Sequence, residues 1–418
     1  MAHTVVQREI GDRVFKLETG KVAKLANSAV LATYGETTVL ATVVRAAPRP
    51  GLDYFPMQVD YRERTSAAGK YPGGFRKREG PPNEKEILTA RMIDRPIRPL
   101  FPDGFIEEVQ IQCFVMSHDT ENDSDVVAGT AAAAALAISD APFAGPLATV
   151  RIGRIPIDDE MKFVINPTVS QLEFSDLDMV LSGHRDGFNM IEVGAAEVPE
   201  DVVVGAMEFA RSHIDTVLDM IDELVQKAGK EKNLGEHIYA PAEDVVEIVN
   251  REMTDAVREA RQVPGKMDRD ERINALRDEM FEKFFPEPGE DATPHQVDIA
   301  NRRRSDAREA FRTLEKKLTR KLIVEGKRAD GRKFDEVRPI ECEVGVFERT
   351  HGSAMFQRGE TQSLVATTLG TSRDEQIVDG LLPEYSKRFM LHYYFPPVCT
   401  GEARRIMGPG RREIGHGA

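Results

Sequence analysis

Two basic, glycine-rich stretches carry the clearest chemistry in this 418-residue chain. The first, Tyr61 to Gly80, holds six basic residues (Arg62, Arg64, Lys70, Arg76, Lys77 and Arg78) against two acids, Glu63 and Glu79. Gly69, Gly73, Gly74 and Gly80 allow close backbone approach. The second, Gly401 to Ala418, holds Arg404, Arg405, Arg411 and Arg412 among five glycines, with Glu402 and Glu413 as its acids. Guanidinium groups bind phosphate oxygens bidentately, and glycine-rich turns add backbone N–H donors. The pattern predicts two sites for phosphate or a polyanion. Ordinary charged surface loops are the competing reading for either stretch alone, and their recurrence in one acidic chain weighs against it. His416 closes the second stretch, either as a site residue or as a structural histidine.

Other candidates are weaker. Asp176 and Asp178 could hold Mg²⁺ as a carboxylate pair, although an exposed turn before a strand is the favoured reading. Asn83 and Glu86 have N-cap spacing for a helix that ends before Pro96. Asp94, with Arg91 or Arg98, reads as a local structural pair. No Walker A loop, GxSxG elbow or HExxH motif is present, nor a GxGxxG in strand context.

The elements that must position these stretches follow from a long internal repeat. GETTVLATVV (35–44) recurs as GETQSLVATT (359–368), and a basic glycine stretch follows each copy. The Gly-Glu-Thr triplets lie 324 residues apart and the Arg-Glu pairs 334. A period this long predicts a duplicated domain rather than a solenoid. In the first copy, Val109–Val115 predicts a strand and Asp125–Ile138, with GTAAAAALAI, a helix buried against a sheet. A further helix starts near Pro199 and closes at Gly229. This is an α+β domain. Residues 241–320 differ: 35 of those 80 are charged, with PEPGEDATP breaking the stretch into helical parts. A solvated helical connector is the favoured reading there. A basic RNA-binding helix around Arg302, Arg303, Arg304, Lys316 and Lys317 is the alternative. The second copy opens near Ile323, and its final basic stretch reads as a loop running to Ala418 without a helix.

Composition bounds the class. No apolar run is long enough for a membrane span, and the first residues lack a secretory pattern. Cys113, Cys342 and Cys399 are too dispersed for a disulfide framework or a cysteine zinc site, which fits a reducing cytosol. With a net charge of −14, a polyanion would have to be met by local basic clusters.

LETGKVAKLANSAVL, DYFPMQVDYRERTSAAGKYPGGF, ARMIDRPIRPLFP, RADGR, RTHGSAMFQRGETQ, HYYFPP and GRREIGHG together resemble the bacterial polynucleotide phosphorylase family across essentially the whole chain. The resemblance implies a duplicated RNase PH-like core, of ribosomal protein S5 domain 2-like topology, joined by an all-α domain. On this basis the expected domains are a first, non-catalytic core (1–235), a helical linker (236–321) and the beginning of a catalytic second core (322–418). It implies reversible phosphorolysis of single-stranded RNA from the 3′ end, releasing nucleoside 5′-diphosphates, in mRNA turnover. Arg411, Arg412 and His416 match the family's catalytic loop. Phe75, Arg76, Lys77 and Arg78 match the RNA-entrance loop, and Arg404 and Arg405 are expected to contact RNA. The entrance-loop pattern departs at Arg76, where the family has a second Phe, and at Pro81, where it has Arg. Asp176 and Asp178 match both catalytic acids, with Val180 in place of the accompanying lysine, as in a decayed site.

The resemblance also implies Mg²⁺, with Mn²⁺ as an alternative, held by aspartates expected beyond Ala418. It implies a cytoplasmic homotrimeric ring, inorganic phosphate as co-substrate, and association with an endoribonuclease and a helicase of RNA-degradation machinery, with no membrane. The chain is expected to be truncated within the second core and to have little or no activity alone. Its rivals are a non-catalytic RNA-binding scaffold and a hydrolytic 3′ exonuclease.

Overall fold

The computed structural model describes residues 2–49, 54–73, 75, 77–234, 238–406 and 408–418. They fall into two units, Met1–Ile238 with Asp374–Ala418, and Tyr239–Arg373.

The first unit begins with β1 (Thr4–Ile10), β2 (Arg13–Thr19), β3 (Ser28–Tyr34), β4 (Thr37–Ala46) and β5 (Met57–Glu63). Then come α1 (Glu84–Ile97), β6 (Glu108–Ser117) and α2 (Ser124–Ile138). The six strands form one sheet in the order β1-β2-β3-β4-β6-β5, antiparallel except where β5 joins β6. Side chains alternate across a strand. Accordingly Val39, Ala41 and Val43 of β4, and Val109, Ile111, Cys113 and Val115 of β6, are buried. The β3–β4 hairpin turns at Gly35, φ 60°, where an added Cβ would lie 2.4 Å from the Asn122 side-chain nitrogen. Only glycine takes that turn without strain.

A second sheet holds β7 (Ala148–Ile157), β8 (Glu160–Ile165), β9 (Leu177–His184) and β10 (Gly187–Ala195), in the order β10-β9-β7-β8, with the one-turn α3 (Val169–Leu172) beside it. All 15 residues of α2 are buried, packed on β3, β4 and β6 of one sheet and β7 of the other. The absence of a polar face in its sequence has this cause. α4 (Glu200–Ala228) follows Pro199, stops at Gly229, and buries Ala206, Ala210, Ile214, Val217, Ile221 and Leu224 on one stripe.

The second unit contains α5 (Glu243–Ala260), α6 (Lys266–Phe284) and α7 (Pro294–Val324), which share a small core of Val249, Met253, Leu276, Met280, Phe311 and Leu314. PEPGEDATP separates α6 from α7, as its composition predicts. After α7 come β11 (Ile340–Val344), β12 (Gly352–Arg358) and β13 (Thr361–Thr367), one antiparallel sheet. The β12–β13 turn at Gly359, φ 62°, repeats the β3–β4 turn at Gly35.

From Asp374 the chain belongs to the first unit. β14 (Gln376–Val378) and β15 (Tyr385–Lys387) pair as a hairpin, with Leu381 between them buried in the first unit's core. Lys387 pairs with Glu84, and α8 (Arg411–Gly417) packs on α1.

Two expectations are corrected. α1 does not stop before Pro96: it runs to Ile97, and Arg98 N–H still bonds to Asp94 O. A proline in the last turn removes few helix bonds, so it is tolerated there. The final basic stretch is not loop to its end, because Arg411–Gly417 is helical. Its glycines disfavour a helix by about 1 kcal/mol each, but packing on α1 and the bonds of Glu413 offset this.

Leu136 is fully buried in α2. Leu136→Ala should destabilise the first unit by about 2–5 kcal/mol through lost burial and the cavity left. A clearly lowered first thermal transition in differential scanning fluorimetry is the expected readout.

Candidate functional site

The first basic stretch leaves β5 at Arg64. Thr65–Ala68 make a single 3₁₀ turn closed by Gly69, φ 69°. Glu79 then returns to the start of that turn: Oε1 accepts Thr65 N–H at 3.0 Å and Oε2 accepts Arg64 Nη1–H at 2.7 Å. Arg62 Nη2 donates to Gly80 O at 2.8 Å, and Lys70 Nζ donates to Gly380 O and Leu382 O at 3.1 and 2.6 Å. The base of the loop is therefore pinned. At its tip Phe75 and Tyr71 are exposed, as are Lys77 and Arg78. Arg76 lies outside the described residues.

The second stretch repeats this construction. Pro397–Thr400 form a 3₁₀ turn closed by Gly401, again φ 69°. Glu413 reaches back to the residues ahead of the stretch and to the cap of its own helix: Oε1 accepts Phe395 N–H and Oε2 accepts Gly410 N–H, both at 2.8 Å. These backbone donors hold the Glu413 carboxyl below its usual value. The Arg-Glu pair seen twice in the sequence thus marks a glutamate that ties each basic stretch to backbone N–H donors.

α8 carries Arg411, Arg412 and His416 together. Arg411 Nη2 donates to Asp60 Oδ1 at 2.6 Å and Nη1 to Val59 O at 3.4 Å, both on β5. Gly415 fits against Arg91 of α1, where an added Cβ would lie 2.7 Å from Arg91 Cδ. The His416 ring lies 4.4 Å from that of Tyr393. Arg412 is exposed and has no partner among the described residues. Arg405 is likewise exposed, and Arg404 faces Glu402 at 3.6 Å. The structure therefore gathers Arg411, Arg412 and His416 on one helix and Phe75, Lys77 and Arg78 on one loop. Among the described residues no hydrogen bond or ion pair joins the two sets. The sequence reading missed Asp60, whose contact with Arg411 spans 351 residues, and Tyr393, whose ring contact with His416 follows from no local pattern. The alternation of MQVDYRE marks Asp60 only as a strand residue.

The first-copy acids sit among cations. Asp176 Oδ2 is 3.3 Å from Arg154 Nη1, and Asp178 Oδ1 is 3.0 Å from Arg151 Nε. Arg151 also pairs with Asp123 and Asp125 at 3.2 and 2.9 Å, and Lys85 joins Asp123 to Glu63. Burial opposes the Lys85 charge, but Asp123 and Glu63 outweigh it and raise its pKa. Arginine-neutralised carboxylates do not fit a divalent cation. No group of three or more His, Cys, Asp or Glu side chains among the described residues could hold one. Asp94 pairs with Arg98, at 2.7 Å, and the three cysteines are free. No helix among the described residues is long and apolar enough to cross a membrane.

A duplicated α+β core with a helical insert, and an arginine helix docked on its own first copy, define the class. The profile of the 3′ exoribonuclease family, domain 1, matches residues 11–142 and 336–418, and the chain belongs to that family, with an RNase PH-like fold. The profile for domain 2 of the same family matches 145–213. That of the polyribonucleotide nucleotidyltransferase RNA binding domain matches 244–333. The polyribonucleotide nucleotidyltransferase of Rhodopirellula baltica is 48% identical over 99% of this chain and 53% of its own length. That of Caldicellulosiruptor bescii is 46% identical over 100% of this chain and 58% of its own length. For that of Rhodospirillum centenum the figures are 48%, 97% and 55%. The chain thus spans little more than half the length of these relatives.

Because the folded-state pKa of Glu413 is lowered, its contribution is present above the ordinary carboxylate value and lost as pH falls through the folded value. Hydrogen exchange should show the Phe395 and Gly410 amides opening faster as pH falls below the ordinary glutamate range, after correction for intrinsic rates. Glu413→Ala should bring the same opening at neutral pH.

Proposed function

We propose that the protein carrying this chain degrades single-stranded RNA from its 3′ end by phosphorolysis, releasing nucleoside 5′-diphosphates reversibly, as a polyribonucleotide nucleotidyltransferase. The observation that carries this reading is the α8 arginine pair. Arg411 is held on one side by β5, and Arg412 is exposed and unpartnered among the described residues. A fixed guanidinium beside a free one suits an anionic nucleophile brought against an anionic backbone, where positioning and charge neutralisation do most of the work. The names of the relatives point the same way.

In this reading Arg411 and Arg412 hold phosphate oxygens by forked hydrogen bonds. Inorganic phosphate attacks the terminal phosphodiester, and the bond to the shortened RNA's 3′ oxygen breaks. His416, its ring tilted against that of Tyr393, is an auxiliary residue beside them. Phe75 offers an exposed ring on which a base can stack, and Arg76, Lys77, Arg78, Arg404 and Arg405 attract the RNA backbone. The domain roles are a non-catalytic first core (1–235), a helical linker (236–321) and part of a catalytic core (322–418). A divalent cation, Mg²⁺ or Mn²⁺, would neutralise charge when bound, but Asp176 and Asp178 do not fit it. A homotrimeric ring in the cytoplasm, associated with an endoribonuclease and a helicase, completes the proposal.

The test is product analysis with the full-length protein on poly(A), phosphate and Mg²⁺. Nucleoside diphosphates are expected. Monophosphates would indicate hydrolysis, and salt-dependent binding without products would indicate a scaffold. Arg412→Ala should lower kcat/KM by about 10–100-fold, the scale of a lost charge-assisted contact. Phe75→Ala should weaken poly(A) binding by about tenfold. Lys77→Ala should reduce the slope of log affinity against log salt by about one, as for a single phosphate contact.

A further inference from the structure

We infer that Asp60, on strand β5 of the first copy, is a positioning residue for Arg411 of the second, so that the two copies build the phosphate site jointly. The inference rests on the phosphorolytic reading above. Asp60 is itself fixed: Gln58 Nε2 donates to its Oδ2 at 2.8 Å, leaving Oδ1 to accept Arg411 Nη2–H at 2.6 Å. The Val59 carbonyl takes a longer bond from Arg411 Nη1 at 3.4 Å. The Asp60 side chain is mostly buried, whereas that of Arg411 is half-exposed.

A guanidinium has five N–H donors in a rigid plane. Two nitrogens are engaged by the strand, and the remaining donors stay available to a ligand. A long arginine otherwise samples many rotamers, and anchoring one edge removes much of that freedom before phosphate arrives. The helix bearing Arg411 is itself located, because Gly415 admits the close approach of Arg91 and Glu413 bonds the amides of Phe395 and Gly410. Asp60 therefore acts at the end of an already ordered helix, and its effect falls on one side chain. The carboxylate also weakens the local positive potential. A clamp that withholds Arg411 from phosphate is the opposite role for the same contact. The two roles predict opposite changes in the KM for phosphate.

The experiment measures phosphorolysis of poly(A) by the full-length protein as a function of inorganic phosphate. Asp60→Ala should raise the KM for phosphate about tenfold, the loss of one charge-assisted bond, and leave kcat within about twofold. Asp60→Asn keeps an acceptor oxygen and should give an intermediate rise of about threefold. In a double-mutant cycle, Asp60→Ala should add nothing to Arg411→Ala, because it acts through that residue. An unchanged KM in Asp60→Ala, or effects that add in the double variant, overturns the inference while leaving phosphorolysis standing. A lowered KM overturns it in favour of the clamp. Should Asp60→Ala fail to fold, an unchanged KM in Asp60→Asn overturns it equally. If the unsubstituted protein releases no diphosphates with phosphate present, the phosphorolytic reading falls, and this inference with it.

Discussion

The wholly buried helix α2 is the constraint on which the first unit depends. A helix between two sheets can lie close to both only if its side chains are small, and Gly129 to Ala135 supply that. An added Cβ at Gly129 would meet Thr149 Oγ1 at 2.8 Å. The few polar groups at this depth are satisfied locally: Thr130 Oγ1 donates to Thr149 O at 3.1 Å, and Ser28 Oγ to Ala135 O at 2.6 Å. The N-terminal end of α2 meets the ion cluster of Lys85, Asp123, Asp125 and Arg151. Such a cluster is a poor source of net stability, but removing one member would leave buried charge uncompensated. It therefore ties α1, α2 and β7 into one arrangement. β5, against which α1 packs, is in turn the strand that receives α8.

The duplication explains how one architecture yields two basic stretches with different surroundings. In both copies a 3₁₀ turn ends at a left-handed glycine, and a glutamate closes the stretch on backbone N–H donors. The first stretch projects exposed aromatic and basic side chains from a pinned base. The second folds Arg411 and Arg412 into a short helix against the first copy. The acids of the first copy went another way: Asp176 and Asp178 lie against Arg154 and Arg151. A carboxylate with an arginine at hydrogen-bonding distance is already neutralised, which leaves little reason for a cation to bind there.

Much of the fold was legible in residues 1–229. The alternation of Val109–Val115, the small-residue run of α2, the Pro199 and Gly229 limits of α4 and the Asn83–Glu86 capping box are local signals, and local hydrogen bonding answers them directly. Local rules failed where tertiary contact outweighed them. Arg411–Gly417 reads as a glycine-rich loop but is helical, because α1 and the two amides bonded by Glu413 support it. Pro96 reads as a helix stop, yet α1 continues one residue past it.

The sequence by itself determined the duplication, the α+β character of the first copy, the charged helical segment and the two concentrations of arginine and glycine. These are matters of residue type and short spacing, and the backbone responds to them over a few residues. Only the tertiary structure decided which of those arginines acquire partners. Arg411 meets Asp60, and Arg412 is left with none among the described residues. The physical reason is that an ion pair depends on distances of a few ångströms between atoms hundreds of residues apart, and the path of the chain between them sets those distances.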